Sequence, residues 1–342
     1  MAAHNKAQGA TPGSGDIHPV SEVAMLAGRS PADVERWRAA GLSMLAKGQA
    51  AVVLLAGGQG TRLGSALPKG CYDIGLPSHK SLFQLQAERI LRLQQLAAAG
   101  ESVRIPWYIM TSEATDADTR SYFAEHGNFG LHRDQVMFFT QGMLPALTED
   151  GKAILEAPGK VFMAPDGNGG IFAALVRCGA LEHMKRTGVT CVDCYSVDNA
   201  LIRPVSMPHP SSPTQHVALE TLPVCRRTRC SWAGARSRVV RWQPGSQPGG
   251  TQERRQDGTR PCPLWNRTDL LVGPLQVGVF VQDSGGRLSV KEYSELGPEV
   301  GSATDASGTL LYRWANLCMQ YFTVPFLDRI AHKILNEVSG PV

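Results

Sequence analysis

The sequence predicts an α/β fold in which a mostly parallel central sheet is wound on both faces by helices. Three observations carry this expectation. The run Ala51–Ala56 is apolar without alternation, the pattern of a strand buried on both sides. Strand-like and helix-like stretches then alternate as far as residue 203, as crossover helices between parallel strands require. The chain has 342 residues, 43% hydrophobic and 19% charged, enough for one large core or two smaller ones.

Residues 1–30 read as a flexible lead, rich in glycine and lacking periodicity. Ser30-Pro31-Ala32-Asp33 has the cap and first-turn proline of a helix start. After the strand at Ala51–Ala56 comes a glycine-rich loop from Gly57 to Gly64, then helical apolar spacing over Ser81–Ala99 through Leu82, Leu85, Ile90, Leu93 and Leu96. Ile105–Met110 is predicted as a strand, Thr111–His126 as a capped helical stretch and Gln135–Thr140 as a strand. Gly169–Thr187 is predicted helical, and Thr190–Val197 a strand running into Asp198-Asn199.

Pro204–Leu275 breaks the alternation. It holds nine prolines between Pro204 and Pro263 and no convincing period, and its three tryptophans (Trp232, Trp242, Trp265) lie in no apolar pattern, so it reads as a disordered or aberrant insert. Val277–Val281 and Leu288–Tyr293 flank Ser284-Gly285-Gly286 as an expected hairpin, and the apolar stretch Leu310–Leu335 follows. The expected division is a lead (1–30), a nucleotide-binding α/β domain (31–203), the insert (204–275) and a further part of the same catalytic domain (276–342).

Charge and composition exclude several classes. Between Pro204 and Thr268 there are ten arginines, no lysine and three acids, against a net charge of +4 for the whole chain, so the remainder is slightly acidic. The basic balance therefore belongs to the insert, and no nucleic-acid partner is expected. No apolar run approaches a membrane span or a signal-peptide core, so a cytoplasmic location without membrane association is the expectation. Eight irregularly spaced cysteines do not make a disulfide framework. Cys191 and Cys194, three apart on a strand, point to opposite faces rather than forming a redox pair.

The chemistry concentrates at Leu55-Ala56-Gly57-Gly58-Gln59-Gly60-Thr61-Arg62-Leu63-Gly64, followed by Pro68-Lys69-Gly70. Glycines directly after a buried strand let main-chain N–H groups approach an anion, and Arg62 and Lys69 add positive charge, the combination a triphosphate needs. The loop is not a Walker loop, because Gly64 is followed by Ser65-Ala66-Leu67. Nor does it fit the dinucleotide fingerprint, in glycine spacing or in an acid ending the second strand.

These residues resemble the signature of the UDP-N-acetylhexosamine pyrophosphorylases, within the sugar nucleotidyltransferases. The resemblance continues in order through Gln141-Gly142-Met143-Leu144-Pro145, Ala164-Pro165-Asp166-Gly167-Asn168-Gly169-Gly170, Val197-Asp198-Asn199, Lys291-Glu292-Tyr293-Ser294-Glu295 and Asn316. It implies a Rossmann-like, GT-A-like nucleotidyltransferase domain whose substrates are UTP and an N-acetylhexosamine 1-phosphate, with Mg²⁺ as cofactor. It also implies roles by residue. Arg62 and Lys69 are catalytic. Leu55, Ala56, Gly57, Gly58, Gln141 and Gly167 bind the nucleotide, Gln141 reading uracil. Asn168, Glu292, Tyr293 and Asn316 meet the sugar, and Asp198 holds the metal.

Against the family, the spacing of 94 residues from Asp198 to Glu292 is long. The chain also ends before the family's C-terminal region, so the fold is expected to be incomplete on that side. The expected activity is UDP-N-acetylglucosamine synthesis. The alternatives are another sugar 1-phosphate as acceptor, or a uridine-nucleotide-binding form that does not turn over.

Overall fold

The computed structural model describes residues 17–20, 29–60, 64–65, 67–98, 102–148, 150–202, 278–292, 295–316 and 318–338. In chain order they form β1 (Ile17–Pro19), α1 (Pro31–Ala46), β2 (Ala50–Leu55), α2 (Leu82–Ala97), β3 (Trp107–Thr111), α3 (Asp116–Glu125) and β4 (Val136–Thr140). There follow β5 (Met143–Pro145), β6 (Leu155–Ala157), β7 (Lys160–Val161), β8 (Met163–Pro165), α4 (Ile171–Arg177), α5 (Ala180–Arg186) and β9 (Cys191–Ser196). The remainder are β10 (Val279–Asp283), β11 (Leu288–Lys291), α6 (Pro298–Gly301), β12 (Met319–Thr323) and α7 (Val324–Val338). The described residues divide into two compact units, one of 29–202 and 316–338, the other of 17–20 and 278–315.

The larger unit has one five-stranded sheet, in the order β12-β9-β2-β3-β4. β2 pairs in parallel with both β3 and β9, β3 with β4, and only β12 runs antiparallel, against β9. The mixed α/β architecture with a mainly parallel central sheet is therefore as the sequence predicted. Every residue of β2 and of β3 is buried. The reason is a core on each face. Ala50, Val52 and Leu54 pack with Leu82, Phe83, Ala87 and Ile90 of α2, Leu45 of α1 and Phe123 of α3. Ala51, Val53 and Leu55 pack with residues of α4 and α5 and with Val324, Leu327 and Ala331 of α7. Each fully buried valine or leucine side chain stabilises the fold by about 1.5–3 kcal/mol. The apolar stretch near the end of the chain thus resolves into an edge strand and a helix that closes the second face. Cys191 and Cys194 lie in opposite cores, as expected, and burial raises the pKa of both thiols.

Boundaries differ where local polar chemistry intervenes. The helix expected from Thr111 begins at Asp116, because Thr115 Oγ1 accepts the Ser112 N–H (3.0 Å) and closes a turn first. The single helix expected over Gly169–Thr187 is two, broken at Gly179, whose φ of 73° no helix continues through. Residues 143–165, for which no strands were expected, form two short antiparallel ribbons, β5–β8 and β6–β7.

In the smaller unit β10 and β11 make the expected hairpin, turned by Asp283, whose Oδ1 accepts the N–H groups of Gly285 (2.9 Å) and Arg287 (2.8 Å). β1, inside the stretch read as a flexible lead, pairs antiparallel with β10. Three residues are too few to leave a periodic signal. The rest of that lead and the whole of Pro204–Leu275 lie outside the described residues. Among the described residues no helix is long and apolar enough to cross a membrane.

Candidate active site

The strand order reverses at β2: the chain moves outward through β3 and β4, then returns to β9 on the other side. Loops leaving β2 and β9 therefore diverge at their carboxyl ends and open a crevice, the place where doubly wound sheets bind ligands. The ends are held level. Val197 N–H donates to Leu55 O (3.0 Å), and Ala56 N–H to Met110 O (2.8 Å).

Within this crevice the glycine loop folds back on the Pro68-Lys69-Gly70 segment. Gly60 N–H donates to Leu67 O (3.0 Å) and Lys69 N–H to Gly58 O (3.2 Å). The Lys69 side chain consequently lies along Gly58, where an added Cβ would be 3.3 Å from Lys69 Cε. At Gly57 an added Cβ would be 2.8 Å from Gln141 Nε2, so the glutamine amide rests directly over the first glycine. Gln141 is delivered there by β4, its N–H donating to Thr111 O (2.9 Å). A side chain at Gly57 would therefore displace the glutamine amide from this position.

Lys69 Nζ stands 3.1 Å from Asp198 Oδ2, and Ser196 Oγ donates to Asp198 Oδ1 (2.6 Å). Partial burial alone would raise the pKa of Asp198. The hydrogen bond from Ser196 and the bond and charge of Lys69 outweigh it and hold the carboxyl below its ordinary value. Asp198 is therefore an ionised carboxylate, half exposed to solvent.

The next residue explains the PKG motif's glycine. Gly70 is buried beneath the ring of Phe83, which a Cβ at Gly70 would penetrate. Gly70→Ala is expected to cost about 1–3 kcal/mol and to lower the Tm by several degrees, because Phe83 is locked in the core. A thermal melt indistinguishable from the parent would contradict that packing.

Two residues escaped the sequence reading. Gln86, fully buried on α2, donates from Nε2 to Val197 O (3.0 Å), and Arg89 donates to Ala200 O (2.7 Å) and Ile202 O (2.8 Å). Their only sequence signal is polarity three residues apart on a helix whose neighbours Leu82 and Ile90 are core.

The remaining candidates divide by position. Asp166 N–H donates to Gly142 O (3.0 Å), which ties the turn holding Gly167 and Asn168 to the residue after Gln141. Asn168 is exposed. Asn316 lies in the larger unit, its Oδ1 accepting the Cys318 N–H (3.1 Å). Glu292 lies exposed in the smaller unit, after β11. Arg62 and Tyr293 fall outside the described residues. The structure thus brings Leu55, Ala56, Gly57, Gly58, Lys69, Gln141 and Asp198 to one sheet end, with Gly167 and Asn168 tied beside them.

Residues 15–232 match the UTP--glucose-1-phosphate uridylyltransferase family. The chain belongs to that family. Among members of related name, it is 44% identical to UDP-N-acetylglucosamine diphosphorylase 1 of Arabidopsis thaliana, over 92% of this chain and 56% of that protein. It is 50% identical to the UDP-N-acetylglucosamine pyrophosphorylase of Saccharomyces cerevisiae, over 54% of this chain and 38% of that protein. A solved uridine diphosphate N-acetylglucosamine pyrophosphorylase from Trypanosoma brucei, in complex with inhibitor, superposes with a TM-score of 0.66 at 28% identity. That match covers 93% of this chain and 57% of the other. The chain therefore spans little more than half the length of such uridylyltransferase-family relatives.

Proposed function

We propose that the chain joins UTP to N-acetylglucosamine 1-phosphate, giving UDP-N-acetylglucosamine and pyrophosphate. The observation that carries this reading is the Lys69–Asp198 pair where the strand order reverses, with Lys69 against Gly58 and the Gln141 amide against Gly57 of the same glycine loop. The sugar phosphate oxygen attacks the α-phosphorus of UTP as the bond to the β-phosphate oxygen breaks, and the electron pair departs with pyrophosphate. No protein nucleophile is required, because positioning and electrostatics supply the catalysis. Main-chain N–H groups of the glycine loop cradle the phosphates. Lys69 and Arg62 stabilise charge on the departing pyrophosphate. Gln141, with an acceptor and two donors on one amide, complements the donor and acceptor edge of uracil, and the Gly167 main chain meets the base. Asn168, Asn316, Glu292 and Tyr293 are assigned to the sugar.

A divalent cation, Mg²⁺, fits Asp198. The carboxylate is held ionised and is half exposed, as an oxygen donor to a hydrated cation must be. One carboxylate completed by substrate phosphates and water is the usual Mg²⁺ arrangement. When bound, the ion supplies charge stabilisation at the phosphates.

Gln141→Glu tests the uracil assignment. The carboxylate cannot donate to a uracil carbonyl and repels the phosphates, and a buried polar group left unpaired costs about 1–3 kcal/mol, so UTP binding weakens about tenfold or more. Titration calorimetry giving unchanged affinity would remove Gln141 from the site. A second reading takes glucose 1-phosphate as acceptor, since the matched family is described by that sugar. N-acetylgalactosamine 1-phosphate is a further acceptor to compare. Comparing kcat/KM for the three sugar phosphates separates the readings.

A further inference from the structure

Gln86 and Arg89 sit about one helical turn apart on α2, and both reach the chain leaving β9. Gln86 takes the carbonyl of Val197, just before Asp198 (3.0 Å), while Arg89 bridges the carbonyls of Ala200 (2.7 Å) and Ile202 (2.8 Å), just after it. The loop's own backbone bonds are short-range turns: Asn199 N–H to Ser196 O, Ala200 N–H to Asp198 O and Ile202 N–H to Asn199 O. Val197 N–H ties the start of the loop to Leu55 O of β2 (3.0 Å), and beyond it these turns shape the loop without tying it to another element. The three side-chain bonds from α2 hold it on both sides of the carboxylate, and the two after it are charge-assisted from one planar guanidinium.

We infer that α2 braces the Asp198 loop through Gln86 and Arg89, with Arg89 the positioning residue that holds Asp198 ready for a divalent cation. The inference rests on the cation reading of Asp198 above. Neither side chain is placed on substrate, so both act through the loop. Lys69 and the glycine loop are held by separate bonds, with Lys69 N–H donating to Gly58 O and Gly60 N–H to Leu67 O, and Gln141, just after β4, is held by its own bond to Thr111 O. Loosening the brace therefore degrades the cation site and leaves nucleotide recognition in place.

Mn²⁺ binding, read by electron paramagnetic resonance on the full chain with UTP present, tests this beside UTP affinity measured without metal. In Arg89→Met, Mn²⁺ affinity is expected to fall roughly tenfold, the scale of outer-shell changes at metal sites, with metal-free UTP affinity within about twofold of the parent. Arg89→Lys, keeping charge without the fork, falls between. Gln86→Met separates positioning from folding. Among the described residues Gln86 Oε1 is buried without a hydrogen-bond partner, so the substitution removes one orphaned acceptor while taking the Gln86 donor from the Val197 carbonyl, and the two effects oppose each other. Its melting temperature should stay near the parent's while its Mn²⁺ affinity falls. Parent-like Mn²⁺ affinity in both Arg89→Met and Gln86→Met, or loss of metal and UTP affinity in equal proportion, would overturn the brace. A parent chain that takes up no Mn²⁺ with UTP present would overturn the cation reading, and the brace with it.

Discussion

Lys69→Met is expected to lower kcat by about 10²–10³-fold while uridine affinity stays near the parent's. Methionine keeps the stem that lies along Gly58 and removes only the charge, which the proposed function sets against negative charge developing on pyrophosphate. The same change should move the pH profile. In the parent, Lys69 is one of the groups holding the Asp198 carboxyl below its ordinary value. Function that needs the ionised carboxylate is present above that lowered pKa and lost as pH falls through it. Without Lys69 the pKa rises, so the acid limb of kcat/KM shifts to higher pH. Pyrophosphate release followed across pH measures both effects. An unchanged kcat would remove Lys69 from the reaction, and an unmoved acid limb would deny its coupling to Asp198.

Asp198→Asn is expected to have the other large effect. Asparagine retains the shape and the hydrogen bond from Ser196, yet loses the charge that would hold a cation. A cation stabilises transition-state charge by several kcal/mol, so turnover should fall about a thousandfold or more. UTP affinity without metal should hold or rise, because Lys69 is released from its 3.1 Å ion pair and its charge becomes available to phosphate. Equal loss of metal-free UTP binding and of turnover would show that Asp198 supports the loop rather than the metal.

Sequence and structure agree most closely where burial leaves a pattern. The run Ala51–Ala56 announces β2 because both faces of that strand are core, and the apolar spacing through Leu82 and Ile90 announces α2 because both pack into the core. The glycine loop, Lys69, Gln141 and Asp198 were legible as a set, since each follows a recognisable strand or loop. What was not legible depends on partners far along the chain. That Gln86 meets Val197 and that Phe83 covers Gly70 follow from how α2 packs, which periodicity does not encode. The ribbons of residues 143–165 left no alternation because both faces are largely exposed, with Leu144 and Leu155 in solvent. Nor does a glycine inside an apolar helical stretch reveal that it will break the helix, as Gly179 does between α4 and α5.

The most direct test of the proposed activity is Mg²⁺-dependent formation of UDP-N-acetylglucosamine from UTP and N-acetylglucosamine 1-phosphate by the full chain, with Lys69→Met and Asp198→Asn measured alongside. The expected result is stoichiometric release of UDP-sugar and pyrophosphate by the parent, abolished by removing the metal and strongly reduced in both variants. A parent chain that binds UTP no more tightly than CTP and forms no UDP-sugar with any hexose 1-phosphate would contradict the account.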